Sequence, residues 1–186
     1  MPIFGITASS NMSTKLTDFY QIATTTVGSG GAASVTFNNI PQTYSHLQIR
    51  FIARTNRADV TDVLTIRYNN DTSNSNYTYH EVGGLGATLY AYGAAQPERN
   101  SLSMGAGASA GSNIFGVGIG DVLDYANTNK YKTVKNTGGA DNNGSGRVAL
   151  ASGVWLNTAA ITRIDLSPGA GTSFSQYSSF QLYGVM

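Results

Sequence analysis

Between Tyr44 and Arg54 the chain reads YSHLQIRFIAR. In an extended backbone Leu47, Ile49, Phe51 and Ala53 fall on one side, and His46, Gln48, Arg50, Ile52 and Arg54 on the other. A period of two in a run rich in Ile, Leu and Phe predicts a half-buried strand with the arginine-bearing face outside the core. A related pattern returns at 177–185, YSSFQLYGV, with Phe180, Leu182 and Tyr183 as its bulk. These two strands are expected to sit centrally in a sandwich, with hairpins and loops between them.

The same alternation marks strands at 34–37, 60–68, 77–82 and 161–166, and a shorter one around Leu89, Tyr90 and Tyr92. Residues 114–125 predict a longer buried strand carrying Phe115, Val117, Ile119, Val122, Leu123 and Tyr125. Its interleaved Gly116, Gly118 and Gly120 signal a bend or a close approach of backbone. Asn143-Gly144 is the strongest short hairpin signal, and its return strand, 147–156, carries Val148, Leu150 and Trp155. The stretches 69–76, 97–100 and 104–111 read as loops or low-complexity segments from their Asn, Ser, Gly and Pro content. About nine or ten short strands at turn-marked intervals, with no long amphipathic helix, predict an all-β fold: an antiparallel β-sandwich of jelly-roll type.

Residues 1–30 break the pattern. Ile3, Phe4 and Ile6 form a small apolar cluster, followed by a Ser/Thr-rich run and the flexible joint Val27-Gly-Ser-Gly-Gly-Ala. The expected organisation is an extended N-terminal arm over 1–30, whose apolar tip docks on a partner, and a sandwich domain over 31–186.

Composition narrows the function classes. Charged residues make up 11% of the 186-residue chain, against about 25% in an average protein, and the formal net charge is +1. A weakly charged surface does not attract nucleic acid or anionic lipid from a distance, but it suits contact between protein surfaces, where few charges need desolvating. The absence of cysteine excludes a disulfide scaffold, thiolate metal ligands and a cysteine nucleophile. No apolar run approaches the roughly 20 residues of a membrane span, and the N-terminus lacks the basic region of a signal peptide. Synthesis in the cytoplasm, with no membrane contact, is the expectation.

Candidate chemistry is sparse. Gly107-Ala-Ser109-Ala-Gly111 matches a nucleophile-elbow string, but both histidines, His46 and His80, precede Ser109, and the strand–turn–helix setting is missing. The two histidines lack a carboxylate at ligand spacing, and the Asp71 loop lacks the glycine and glutamate of a calcium loop, so no metal is expected. Asp121 and Asp124, three apart on a strand, face opposite sides. Lys130, Lys132 and Lys135 read as lysines guarding an edge strand. Eleven tyrosines admit one sharper reading, in which Tyr77, Tyr79, Tyr90 and Tyr92 line a sugar-binding face.

Taken together, the segments IATTTVGSGGAASVTFNNIPQTYSHLQIRFIART, TIRYNNDTSNSNYTYH, DVLDYANTNKYKTV, SGVWLNTAAITRIDLSP and FSQYSSFQLYGV, with FGITASS near the start, resemble a family of small tailed-bacteriophage virion structural proteins. The resemblance spans nearly the whole chain. It implies a β-sandwich on the outer surface of the virion, assembled as a homo-oligomer, often a trimer, with no enzyme activity, no cofactor and no catalytic residues. The function it implies is a head decoration or cement protein bound to the major capsid protein or other virion proteins. The alternative is a tail-fibre or receptor-binding module contacting host glycans. Ile3, Phe4, Ile6, Arg50 and Arg54 are the expected partner contacts in the first case, and Tyr77, Tyr79 and Tyr92 the expected sugar contacts in the second.

Overall fold

In the computed structural model, which describes residues 18–95 and 100–186, the alternating segments form two antiparallel sheets stacked as a β-sandwich. The strands are, in chain order, β1 (Phe19–Thr26), β2 (Val35–Phe37), β3 (His46–Ala53), β4 (Thr61–Tyr68), β5 (Tyr77–Leu85), β6 (Thr88–Ala95), β7 (Asn100–Ala106), β8 (Gly116–Leu123), β9 (Lys132–Asn142), β10 (Ser145–Trp155), β11 (Ile164–Pro168) and β12 (Ser179–Val185). The wide sheet has the order β1-β12-β3-β8-β9-β10-β5-β6 and the narrow sheet β2-β11-β4-β7. Apart from the β5–β6 hairpin and the β8–β9–β10 meander, the chain passes from one sheet to the other at each successive strand. The β5–β6 and β9–β10 hairpins extend the wide sheet beyond β8, and β7 lies beneath β8, β9 and β10.

The two reference strands pair with each other: Phe180 lies opposite Phe51 and Leu182 opposite Ile49. Leu47, Ile49 and Phe51 point inward and meet Leu64, Ile66, Leu102, Ile164, Leu166 and Phe174 in the buried core. Trp155 closes one end of that core, with its ring 5.5 Å from Tyr68. The β9–β10 hairpin turns at Asn143 and Gly144, whose φ angles of 54° and 86° are those of a two-residue turn that follows strand twist.

Several expectations need correction. Residues 19–26 form β1, an edge strand of the wide sheet with Ile22 and Ala23 packed on the core, so the sandwich begins well inside the stretch assigned to an arm. Thr-rich alternation is strand chemistry as much as loop chemistry, which is why the segment misleads. Ile3, Phe4 and Ile6 lie outside the described residues. Part of the small-residue stretch 104–111 belongs to β7, whose Leu102 is buried between the sheets.

The lysine reading also fails. β9 is an interior strand, and Lys132 is only 1% exposed, with Nζ donating to the carbonyls of Asn127, Lys130 and Thr158. Three carbonyl acceptors stand in for the water that burial removes from the ammonium.

Candidate interaction surface

The inner face of the wide sheet determines what its outer face displays. In β8 the residues facing the core are Gly116, Gly118, Gly120 and Val122, so Val117, Ile119 and Leu123 point to solvent, the reverse of the expected orientation. A Cβ on Gly118 would stand 2.3 Å from Cζ of Phe51, and one on Gly120 would stand 2.7 Å from Cδ1 of Leu102. The space belongs to those core side chains. β10 follows the same rule: Ala149, Ala151 and Gly153 face inward, and Val148 and Leu150 face outward.

Strand register joins these outward side chains into two rows. One runs Ile52, Val117, Gly139, Val148, Gly84, Leu89, and the next runs Arg50, Ile119, Thr137, Leu150, Val82, Ala91. The aliphatic members are exposed, Val148 at 62% and Leu89 at 87%. With strands about 4.8 Å apart, the band crosses six strands over about 24 Å. A groove of about 540 Å³ opens beside it, lined by Val117, Gly139, Val148, Gly84 and the tip of the β9–β10 hairpin. A solvated antiparallel face is ordinarily polar, and a contiguous aliphatic band of this kind marks an interaction surface.

Polar groups rim the band. Gln48 Nε2 donates to Asp121 Oδ1 at 2.8 Å, and Arg50 Nε donates to Gln48 Oε1 at 2.6 Å. The Arg50 guanidinium lies over the rings of Phe19 and Tyr183, at 5.2 and 4.8 Å from their centroids. An apolar centre with a polar rim containing an aromatic-stacked arginine is how protein interfaces are built. The structure therefore brings Arg50 to this surface. Arg54 is elsewhere: its guanidinium donates to the carbonyls of Ala108, Ala110, Gly111 and Ile114 and staples that loop, so it leaves the set of partner contacts.

The tyrosines divide. Tyr77 is wholly buried, its hydroxyl donating to the Asp71 carbonyl at 3.0 Å and accepting from the Tyr68 amide at 3.3 Å, so it is a core residue and not a sugar contact. Tyr79 and Tyr92 face the same side of the sheet and meet at 5.7 Å between centroids. Beside them Arg147 Nε donates to the Tyr90 hydroxyl at 2.7 Å, and both Tyr90 and Arg147 Nη2 donate to Glu81 Oε1 at 2.5 Å. Burial, and after it the bond to Glu81, hold the Tyr90 hydroxyl above its ordinary pKa; burial, and then the bond with Tyr92, do the same for Tyr79.

The remaining polar candidates have structural duties. His46 Nδ1 accepts from the Asp124 amide at 2.9 Å, and the His80 ring lies over Gly93. Ser109 sits in a turn whose amide donates to the Asp59 carbonyl at 3.0 Å. Among the described residues no cluster of three or more His, Asp or Glu is placed to hold a metal. Asp71 accepts from the Ser73 amide, Asn76 Nδ2 and Trp155 Nε1, at 2.9, 2.7 and 2.7 Å. Burial opposes its ionisation, but these three hydrogen bonds outweigh it and hold the carboxyl below its usual range. Because the folded carboxyl binds its proton less tightly than the unfolded one, its contribution to stability is complete above about pH 4 and is lost as pH falls through the depressed folded value. Asp71→Asn is expected to lower Tm at neutral pH and to flatten the acid limb of Tm against pH, as measured by calorimetry.

Hydrophobicity alone does not reveal the aliphatic band, because it turns large residues inward by default. The available signal is the regular insertion of Gly or Ala between them, as in GVGIG and VALA. The chain matches no family model, no curated protein and no solved structure.

Proposed function

We propose that this chain is a virion structural protein of a tailed bacteriophage, a decoration or cement protein that docks the outer face of its wide sheet on capsid subunits. The observation that carries the reading is the exposed aliphatic band with its polar rim, on a surface with few charges. Eight strands and four rows of outward side chains give the sheet face a size of about 34 Å by about 24 Å, or about 800 Å². That is about one partner's share of a standard protein interface. The strand orders β1-β12-β3-β8 and β2-β11-β4-β7, with the chain changing sheet at every step among them except from β4 to β7, also fit the jelly-roll type of sandwich, the β5–β6 and β9–β10 hairpins being additions. Such a protein acts by mass action: binding the assembled shell and not its separated subunits stabilises the shell.

Counting copies in purified particles by quantitative mass spectrometry tests the role. Hundreds of copies per particle are expected, and absence from particles would refute it. A few dozen copies or fewer would favour the tail-fibre reading. The specific feature behind that reading is the open Tyr79–Tyr92 pair beside Glu81 and Arg147, and saturable glycan binding lost in Tyr92→Ala would support it.

A further inference from the structure

Exposed sheet edges invite pairing with other chains, and proteins blunt them with short strands, bulges, prolines or charges. Three of the four edges here are blunted. β1 carries a register shift between Gln21 and Ala23, β2 has three residues, and the pairing of β7 with β4 shifts between Leu64 and Thr65. The fourth edge, β6, is different. Its eight residues, TLYAYGAA, contain no charge and no proline and pair with β5 in unbroken register from Thr88 to Ala95. Among the described residues no strand pairs with its other side. Leu89, the most exposed of the large apolar residues, stands on this edge.

We propose that β6 is a self-association edge, where a second copy of this chain adds its own β6 antiparallel across a two-fold axis and joins the two wide sheets into one. A two-fold axis brings each residue type to face its mirror position, so a strand suits this contact only when it brings no like charges together. β6 meets that condition. With Ala91 opposite Ala91 of the partner subunit, Leu89 falls opposite Gly93 of the partner subunit and Tyr90 opposite Tyr92 of the partner subunit. Large residues thus meet small ones on the outer face, and tyrosines meet tyrosines on the inner face, a favourable cross-strand pair. The same pairing continues the second aliphatic row from one copy into the next, because that row ends at Ala91, beside Val82 and Leu150. This inference concerns the sheet edge and stands independently of what the sheet face docks on.

The lack of native cysteine makes the test direct. Residues opposite each other in antiparallel strands have Cα atoms about 4.5–5.5 Å apart, within the range of about 4.4–6.8 Å that a disulfide spans. Ala91→Cys in the full chain is expected to form a covalent dimer under mild oxidation, while Ser145→Cys, on the exposed β9–β10 hairpin, does not. Ala91→Lys puts like charges across the axis and is expected to weaken the dimer by about 100-fold in sedimentation velocity, with an unchanged circular dichroism spectrum. A monomer at every concentration, a trimer, or cross-linking of Ala91→Cys no faster than the hairpin control would each overturn the proposal. So would a dimer that survives Ala91→Lys but dissociates when Val117 and Leu150 become glutamate, which would place the contact on the sheet face.

Discussion

Trp155→Ala is expected to cost about 3–5 kcal/mol, the range for removing a large aromatic from a core that cannot collapse around the gap. Trp155 is 1% exposed and packs against Tyr68 at the end of the sandwich where β4, β5 and β10 converge. Its indole Nε1 also donates to Asp71 Oδ2 at 2.7 Å, so alanine takes a donor from the carboxylate that organises the 71–76 turn. Against a total stability of about 5–15 kcal/mol for a domain, the loss removes a large share of the folded margin. Trp155→Phe keeps most of the ring volume and loses the hydrogen bond, so a smaller cost of about 1–3 kcal/mol is expected. Urea titration followed by circular dichroism measures both, because Trp155 is the single tryptophan and its fluorescence disappears with it. Equal costs for the two variants would contradict the assignment of most of the effect to ring volume.

The second large effect is on binding and leaves the fold nearly untouched. Val117→Glu with Leu150→Glu puts two carboxylates at the centre of the aliphatic band, where their side chains already point to solvent. The stability change is expected to stay within about 1 kcal/mol, the span of strand preferences at exposed positions. Docking that buries this surface must desolvate both charges without partners, and a loss of about 100-fold or more in affinity for the assembled shell follows, about 2.8 kcal/mol at about 1.4 kcal/mol per tenfold. Val117→Thr with Leu150→Thr keeps strand preference and adds no charge, and is expected to weaken binding less. Co-sedimentation with particles freed of the native protein measures the difference. Equal occupancy of the glutamate variant and the unaltered chain would remove the sheet face from the docking account.

Much of the sandwich was legible because period-two alternation and turn chemistry are local. The strand at Leu47–Ala53, its partner ending at Val185 and the Asn143-Gly144 hairpin all follow from residues close in sequence. What the pattern could not show was which face of a strand a second layer covers. In β8 and β10 the large aliphatics alternate with glycine and alanine, and hydrophobicity alone turns the large ones inward. The structure turns them outward, because Phe51 and Leu102 already fill the space beneath Gly118 and Gly120. The fate of charged side chains was equally non-local. Arg50 and Arg54 share a face by period, yet one stacks on Phe19 and Tyr183 at the surface while the other is tied to the 108–114 loop. Tyr77 and Tyr79 also alternate together, but only Tyr77 lies beneath the second layer and is buried.

On the proposed role, the outer sheet face is covered in the assembled particle and open in the isolated protein. Hydroxyl-radical footprinting of Ile119, Leu150 and Tyr183, compared between isolated protein and purified particles, reads that difference directly. Reactivity is expected to fall several-fold at these positions in particles and to stay unchanged at exposed Ser145 on the β9–β10 hairpin. Equal reactivity of the sheet face in both states, with the protein present in the particles, would contradict docking through this face.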